Sequence, residues 1–414
     1  MRPVSNRRGD AEENEVSNLE LFFDLVFVFA VTQVSHLLVD HLGWKGALES
    51  LVILLVVWWS WQYTTWATNE LDPERMPVRF LLLTIMMASL LMAVAIPGAF
   101  GSEGMLFALS YVFIQVVRQA FLTFAAAGRG SVERNRSAHV LAWFCAAAPI
   151  WIAGGLVEGD VRIVLWVLAL AVDYAGPLLS YRVPRMEDVD LDSWDLESGH
   201  FTERFQLFTI IALGETIVIT GASAADLGID PTVGLALLAA FVSTVCLWWL
   251  YFNYMARVLE EVLGRAEGRT ALGRDLFAYG HIPIIAGILL CAVGDDIVLE
   301  RPSETLPNTE LVVLVAGPTL YLLAFVLVRW LLTRGLAWRR ALGALACVVM
   351  GIVALLAEPP ALVTAGLLLA VLVGVIAHEY FHPQHRADPD ELDLPAEHEV
   401  HTVGSSDERS GAAS

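Results

Sequence analysis

The chain has 414 residues, of which 57% are hydrophobic and only 17% charged, and its mean hydropathy is +0.62. A water-soluble chain carries about 25% charged residues, so a soluble globular fold is excluded. The net charge of −20 leaves no basic surface for nucleic acid, and acidic residues contribute little to membrane topology.

Residues 1–17 are polar and charged, so no cleavable signal peptide is expected and 1–18 reads as a cytoplasmic segment. The first apolar run, 19–39, carries Glu20 and Asp24 in its first turns. A carboxylate inside a membrane helix costs several kcal/mol unless paired or hydrated, which marks this helix as the centre of interest. The runs that follow are 46–68, 78–99, 103–127, 138–157 and 161–181, then 203–222, 231–255, 276–298, 310–332, 338–357 and 360–381. Each is about the length that spans a 30 Å hydrocarbon layer at 1.5 Å per residue. The predicted fold class is therefore all-α, a polytopic membrane protein of twelve transmembrane helices. The residues between 182 and 202 form an acidic cytoplasmic loop, and 382–414 a disordered acidic cytoplasmic tail.

Orientation follows from the arginines. One set of connections holds Arg75 and Arg79, Arg129 to Arg136, Arg182 and Arg185, Arg257 to Arg274, and Arg334 to Arg340. The alternate connections hold only Lys45, Arg162 and Arg301, so both termini are expected in the cytoplasm and the protein in the plasma membrane.

The halves 19–181 and 203–381 look related. Phe23, Leu25 and Ala30 meet Phe205, Leu207 and Ala212 at one offset, and Trp58, Trp59 and Trp61 meet Trp248, Trp249 and Tyr251 at another. Six helices is an even number, so the halves are expected to be parallel, related by an axis along the membrane normal.

Four further ionisable residues stand inside apolar runs: Arg118, Asp173, Arg204 and Glu215. Counted from the cytoplasmic ends, Asp24 lies about 8 Å deep, Asp173 about 12 Å, Arg118 about 14 Å and Glu215 about 18 Å. Arg204 and Glu215 share a helix but are about 16 Å apart. Arginine keeps its proton, so Arg118 is expected beside an acidic residue of another helix, with Asp173 and Glu215 the leading partners. The bland alternative is an ion pair that fixes helix packing; the functional one is a hydrated cavity or proton relay.

The tryptophan clusters lie too deep for an interfacial belt and are expected to pack against neighbouring helices. Cys145, Cys246, Cys291 and Cys347 are dispersed in apolar runs without a CxxC, which suits buried small hydrophobes. His378, His382 and His385 read as a solvated helix end, since Pro383 breaks the helix that would align them on a metal. His36 and His281 read as hydrogen-bonded core residues. There is no P-loop, GxSxG elbow, dinucleotide fingerprint or HExxH, so no cofactor, no metal and no enzymatic activity are expected.

The run Leu19 to Phe29, LELFFDLVFVF, and the later His200-Phe-Thr-Glu-Arg-Phe with Ala-Leu-Gly-Glu215 closely resemble the bacterial low temperature requirement A (LtrA) family across about residues 15–382. The resemblance carries over Glu20, Phe23 and Asp24, then His200, Glu203, Arg204, Phe205, Gly214 and Glu215. Gln206 departs from it, where glycine is expected. The family name implies a role in growth at low temperature and no molecular activity.

The leading functional expectation is a small-solute or ion permease in the lipid bilayer, coupled through Asp24 or Glu215. The alternatives are a non-transporting membrane factor for cold growth and an intramembrane lipid-acting enzyme. A central polar cavity would favour the first, a packed interior the second, a lateral cavity the third. Oligomeric state has no signature in the sequence.

Overall fold

A computed structural model describes residues 16–126, 131–186, 198–255, 275–333 and 335–381. They form twelve long helices and no strand among the described residues: α1 (Asn18–Asp40), α2 (Trp44–Glu70), α3 (Met76–Ala95), α4 (Gly104–Phe121), α5 (Val132–Leu156), α6 (Asp160–Leu178), α7 (Ser198–Leu227), α8 (Pro231–Leu250), α9 (His281–Glu300), α10 (Asn308–Thr333), α11 (Trp338–Ala357) and α12 (Ala361–Phe381). The expected acidic tail and most of the expected acidic loop lie outside the described residues.

Local chemistry sets the ends. Ser17 and Glu20 form a reciprocal capping box at the start of α1, each satisfying the other's backbone nitrogen. Ser131 caps α5 and Asp230 caps α8, where Pro231 takes the first helical position. α6 stops three residues before the expected boundary, just after Pro177, and Ser180 and Tyr181 then adopt left-handed backbone at φ 53° and 48°. α7 starts at Ser198, five residues earlier than the apolar run, because its first turn packs polar residues against α1 and α2 rather than lipid.

Eleven of the twelve helices are long and apolar enough to span a membrane by themselves. The exception is α2, whose second half runs Trp-Trp-Ser-Trp-Gln-Tyr-Thr-Thr-Trp and is buried from Val56 to Asn69. Enclosed by protein, α2 has no need of a lipid-compatible surface.

Neighbour relations repeat from one set of six helices to the other. α1 packs on α2 and α3, α3 on α4, α4 on α5, α5 on α6, and α2 on α6. Likewise α7 packs on α8 and α9, α9 on α10, α10 on α11, α11 on α12, and α8 on α12. The two sets meet where α1 and α2 face α7 and α9. The α9–α10 contact is close because glycine faces backbone: a methyl placed on Gly287 would sit 2.8 Å from the Tyr321 nitrogen, and one on Gly317 2.7 Å from the Cys291 nitrogen.

The matched tryptophans have unlike surroundings. Trp58 and Trp59 are buried, with Trp58 donating to the Ala278 carbonyl at 2.8 Å and its ring set edge-on to Phe205 and Phe208. Trp248 and Trp249 are 43% and 42% exposed and lie on the outside of the bundle, which corrects the expectation of packing for that pair. Three cysteines are buried as expected, and Cys145 is exposed.

Candidate functional site

α1 and α7 run side by side in the same direction. Glu20 meets His200, Asp24 meets Arg204 and Thr32 meets Glu215, so rising residue number on one helix tracks rising number on the other. These three contacts join the first set of helices to the second.

At the end where both helices begin, Glu20 does two jobs. Its carboxylate closes the capping box with Ser17 and lies 3.1 Å from His200 Nε2. The other ring nitrogen of His200 lies 3.4 Å from the Asn69 side-chain oxygen on α2. One turn deeper, Asp24 Oδ1 accepts from Arg204 Nη2 at 2.8 Å and from Trp61 Nε1 at 2.8 Å. Both members of the pair are nearly wholly buried, Asp24 at 2% and Arg204 at 1% exposure. Asp24 Oδ2 and Arg204 Nε and Nη1 have no hydrogen-bond partner among the described residues. Glu203 does not join them: it is exposed. Of Glu20, Asp24, Glu203 and Arg204, expected together at this mouth, three converge, joined by His200, and Glu203 does not.

Farther along the seam, Thr32 donates to Glu215 Oε2 at 2.5 Å while Glu215 Oε1 stays buried without a partner among the described residues. Two turns on, Ser223 of α7 donates to Asp296 of α9. Asp295 beside it is oriented toward a narrow gap lined by Ser243, Cys291 and Leu314. Neither Asp295 nor Asp296 was foreseen, although two adjacent carboxylates inside an apolar run are a visible signal. The capping box at Ser17 and Glu20 was equally legible from its spacing.

Arg118 and Asp173 form a separate story. Arg118 is wholly buried yet has no carboxylate within ion-pair distance among the described residues, which corrects the expected pairing with Asp173 or Glu215. Its Nη1 donates to Thr64 at 3.3 Å and Nη2 to Gln115, and its guanidinium lies over the rings of Tyr63 and Phe144 at 5.2 and 5.7 Å. Ring quadrupoles and an amide dipole take the place of the anion. Asp173 accepts instead from Tyr111 at 2.7 Å and Trp151 at 3.0 Å, which ties α4, α5 and α6 together. Tyr111 is seven residues from Arg118, about 10 Å along α4.

The lone histidines divide. His281 is buried and bonds Tyr251 and the Leu276 carbonyl, as a core residue should. His36 is exposed at the far end of α1. No group of three or more metal-ligating side chains occurs among the described residues, and His382 and His385 lie outside them.

Comparisons with known proteins agree with the motif reading. Residues 15–377 match the sequence model of the family described as bacterial low temperature requirement A protein. An uncharacterized protein of Rhizobium meliloti strain 1021 is 37% identical over 318 residues, covering 76% of this chain and 77% of its own length. No solved structure matches the chain.

Proposed function

The chain belongs to the bacterial low temperature requirement A family, and from that premise we propose that it is a permease for a small solute or ion whose relay is the seam between α1 and α7. One observation carries the reading: the polar residues of the seam extend through the membrane. His200 and Ser223 are twenty-three positions apart on α7, about 35 Å against about 30 Å of hydrocarbon, with Ser223 carrying the line on from the seam to Asp296 of α9. Glu20, Asp24, Glu215 and Asp296 are distributed along that length, and Asp24 Oδ2 and Glu215 Oε1 have no hydrogen-bond partner among the described residues. A path at the interface of two repeated helix sets suits a protein in which one set rocks against the other.

In this reading Asp24 is held by Arg204 and Trp61, while Glu215 has the Thr32 hydroxyl as its one hydrogen-bond partner among the described residues and is the residue that exchanges a proton or cation. No covalent reaction is involved. The arginine-rich end is cytoplasmic, in the plasma membrane, with both termini on that side.

The non-transporting alternative draws on the rings packed around the seam, since Trp61 lies 4.9 Å from Phe205 and the Arg204 guanidinium 6.0 Å from Trp61. A seam used only for packing would conduct nothing. Purified protein in proteoliposomes, tested with a pH-sensitive dye and a panel of cations and amino acids, separates the two. The permease reading expects flux that Glu215→Gln abolishes. Flux no greater than in protein-free vesicles across the panel would overturn it.

A further inference from the structure

The adjacent carboxylates near the end of α9 sit in two different settings. Asp296 accepts from Ser223 of α7. Asp295 lines a cavity of about 20 Å³ between α8, α9, α10 and α12, and its Oδ2 is buried without a hydrogen-bond partner among the described residues. Ser243 of α8 brings a hydroxyl to the same wall, and α10 brings Leu314 and Pro318. Those two residues are four positions apart in one helix, and proline has no N–H to give the Leu314 carbonyl, so that oxygen lacks its helical bond. The two helices are close at this level: a methyl on Gly294, next to Asp295, would sit 3.0 Å from Leu314 Cα. Leu368 and Leu372 of α12, both buried, complete the wall with apolar surface.

Carboxylate, carbonyl and hydroxyl oxygens thus share one small space, and no cationic side chain lines it. A carboxylate at this depth calls for a proton or a cation. A proton on Asp295 would serve a single acceptor, whereas a cation serves all of these oxygens at once. The volume admits one particle about the size of a water molecule. Oxygen ligands select a hard ion. Calcium takes about six to eight oxygens and magnesium keeps several of its waters, more than this space holds. We infer that Asp295, Ser243 and the Leu314 carbonyl bind a monovalent cation of sodium size, largely stripped of its water. The site lies about 8 Å along α9 from the end opposite the arginine-rich loops. A cation there ties α8, α9 and α10 together, and the inference stands whether or not the protein transports.

Melting of the purified full chain in detergent tests it, in sodium, potassium or choline chloride at equal ionic strength and fixed pH, alongside binding of radioactive sodium. A ligand of the native state raises the melting temperature as its concentration rises. The wild type should melt higher in sodium than in potassium or choline chloride, and should bind radioactive sodium that choline does not displace. Asp295→Asn should lose both responses. Pro318→Ala restores an N–H to the Leu314 carbonyl, so it should melt no lower than the wild type in choline yet need severalfold more sodium for its half-maximal shift. Equal melting of the wild type in sodium and choline would overturn the inference without recourse to any variant. Stabilisation by acid that sodium does not alter would give the site to a proton and overturn it likewise. An equal response to potassium would overturn the size of the ion, and an unchanged sodium response in Pro318→Ala would overturn Leu314 as a ligand.

Discussion

Asp24 and Arg204 meet at 2.8 Å between α1 and α7, each buried and each the other's only ionic partner among the described salt bridges. Removing one member leaves a charge stranded in the bundle, which costs about 3–5 kcal/mol. Asp24→Asn and Arg204→Gln should therefore each deplete the protein from the membrane, while the double variant recovers much of the level. Quantitative blotting of membrane fractions reads this. Equal depletion in singles and double would show that the pair does not act as a unit.

Glu215→Gln should behave otherwise. The amide oxygen still accepts from Thr32, so thermal stability should change by less than about 1 kcal/mol while flux disappears. A variant that melts early would assign Glu215 to packing.

Arg162 on α6 bridges two connections at the end opposite the arginine-rich loops. Its Nε donates to the carbonyls of Gly154 and Val157, and Nη1 to those of Ala99 and Gly101, at 2.6–3.1 Å. Arg162→Ala should destabilise the protein by about 2–3 kcal/mol. Arg162→Lys should recover less than half, because a single ammonium does not reproduce the planar fork. The melting temperature in detergent is the measurement.

Gly287→Ala forces α9 away from α10, with a cost of about 1–3 kcal/mol. Gly366→Ala on α12, where nothing lies within 4 Å of the added methyl, is the control and should melt like the wild type. Comparable losses at both positions would discount close backbone approach as the cause.

Reporter fusions test the orientation. Those after Gly130 and Gly268 should read cytoplasmic and those near Gly43 and Asp226 external. Opposite signals at the first two would invalidate the even number of crossings between them.

Helix number was legible because length and apolarity report directly on a bilayer of fixed thickness. The meeting of the two motifs was legible in part, since unpaired carboxylates in lipid demand partners. Which partner each takes was not. The offset that matches Phe23 to Phe205 also sets Asp24 opposite Gln206 and Gln33 opposite Glu215, whereas the contacts run from Asp24 to Arg204 and from Thr32 to Glu215. Equivalence by duplication and contact across an interface are different relations, and only the first leaves a trace in sequence offsets. Arg118 misled for a related reason. Its charge demands compensation, but Tyr63, Phe144 and Gln115 supply it without an anion.

The burial of α2 bears on how the chain enters the membrane. A segment rich in tryptophan and threonine has little tendency to leave the translocon for lipid by itself, and its polar side chains find partners on helices made both before and after it: Trp61 on Asp24 of α1, Thr64 on Arg118 of α4, Asn69 against His200 of α7. Only two of the three neighbours belong to the first six helices. During synthesis α2 must therefore wait, held beside α1 or shielded by an insertion factor, until more than half of the protein has been made.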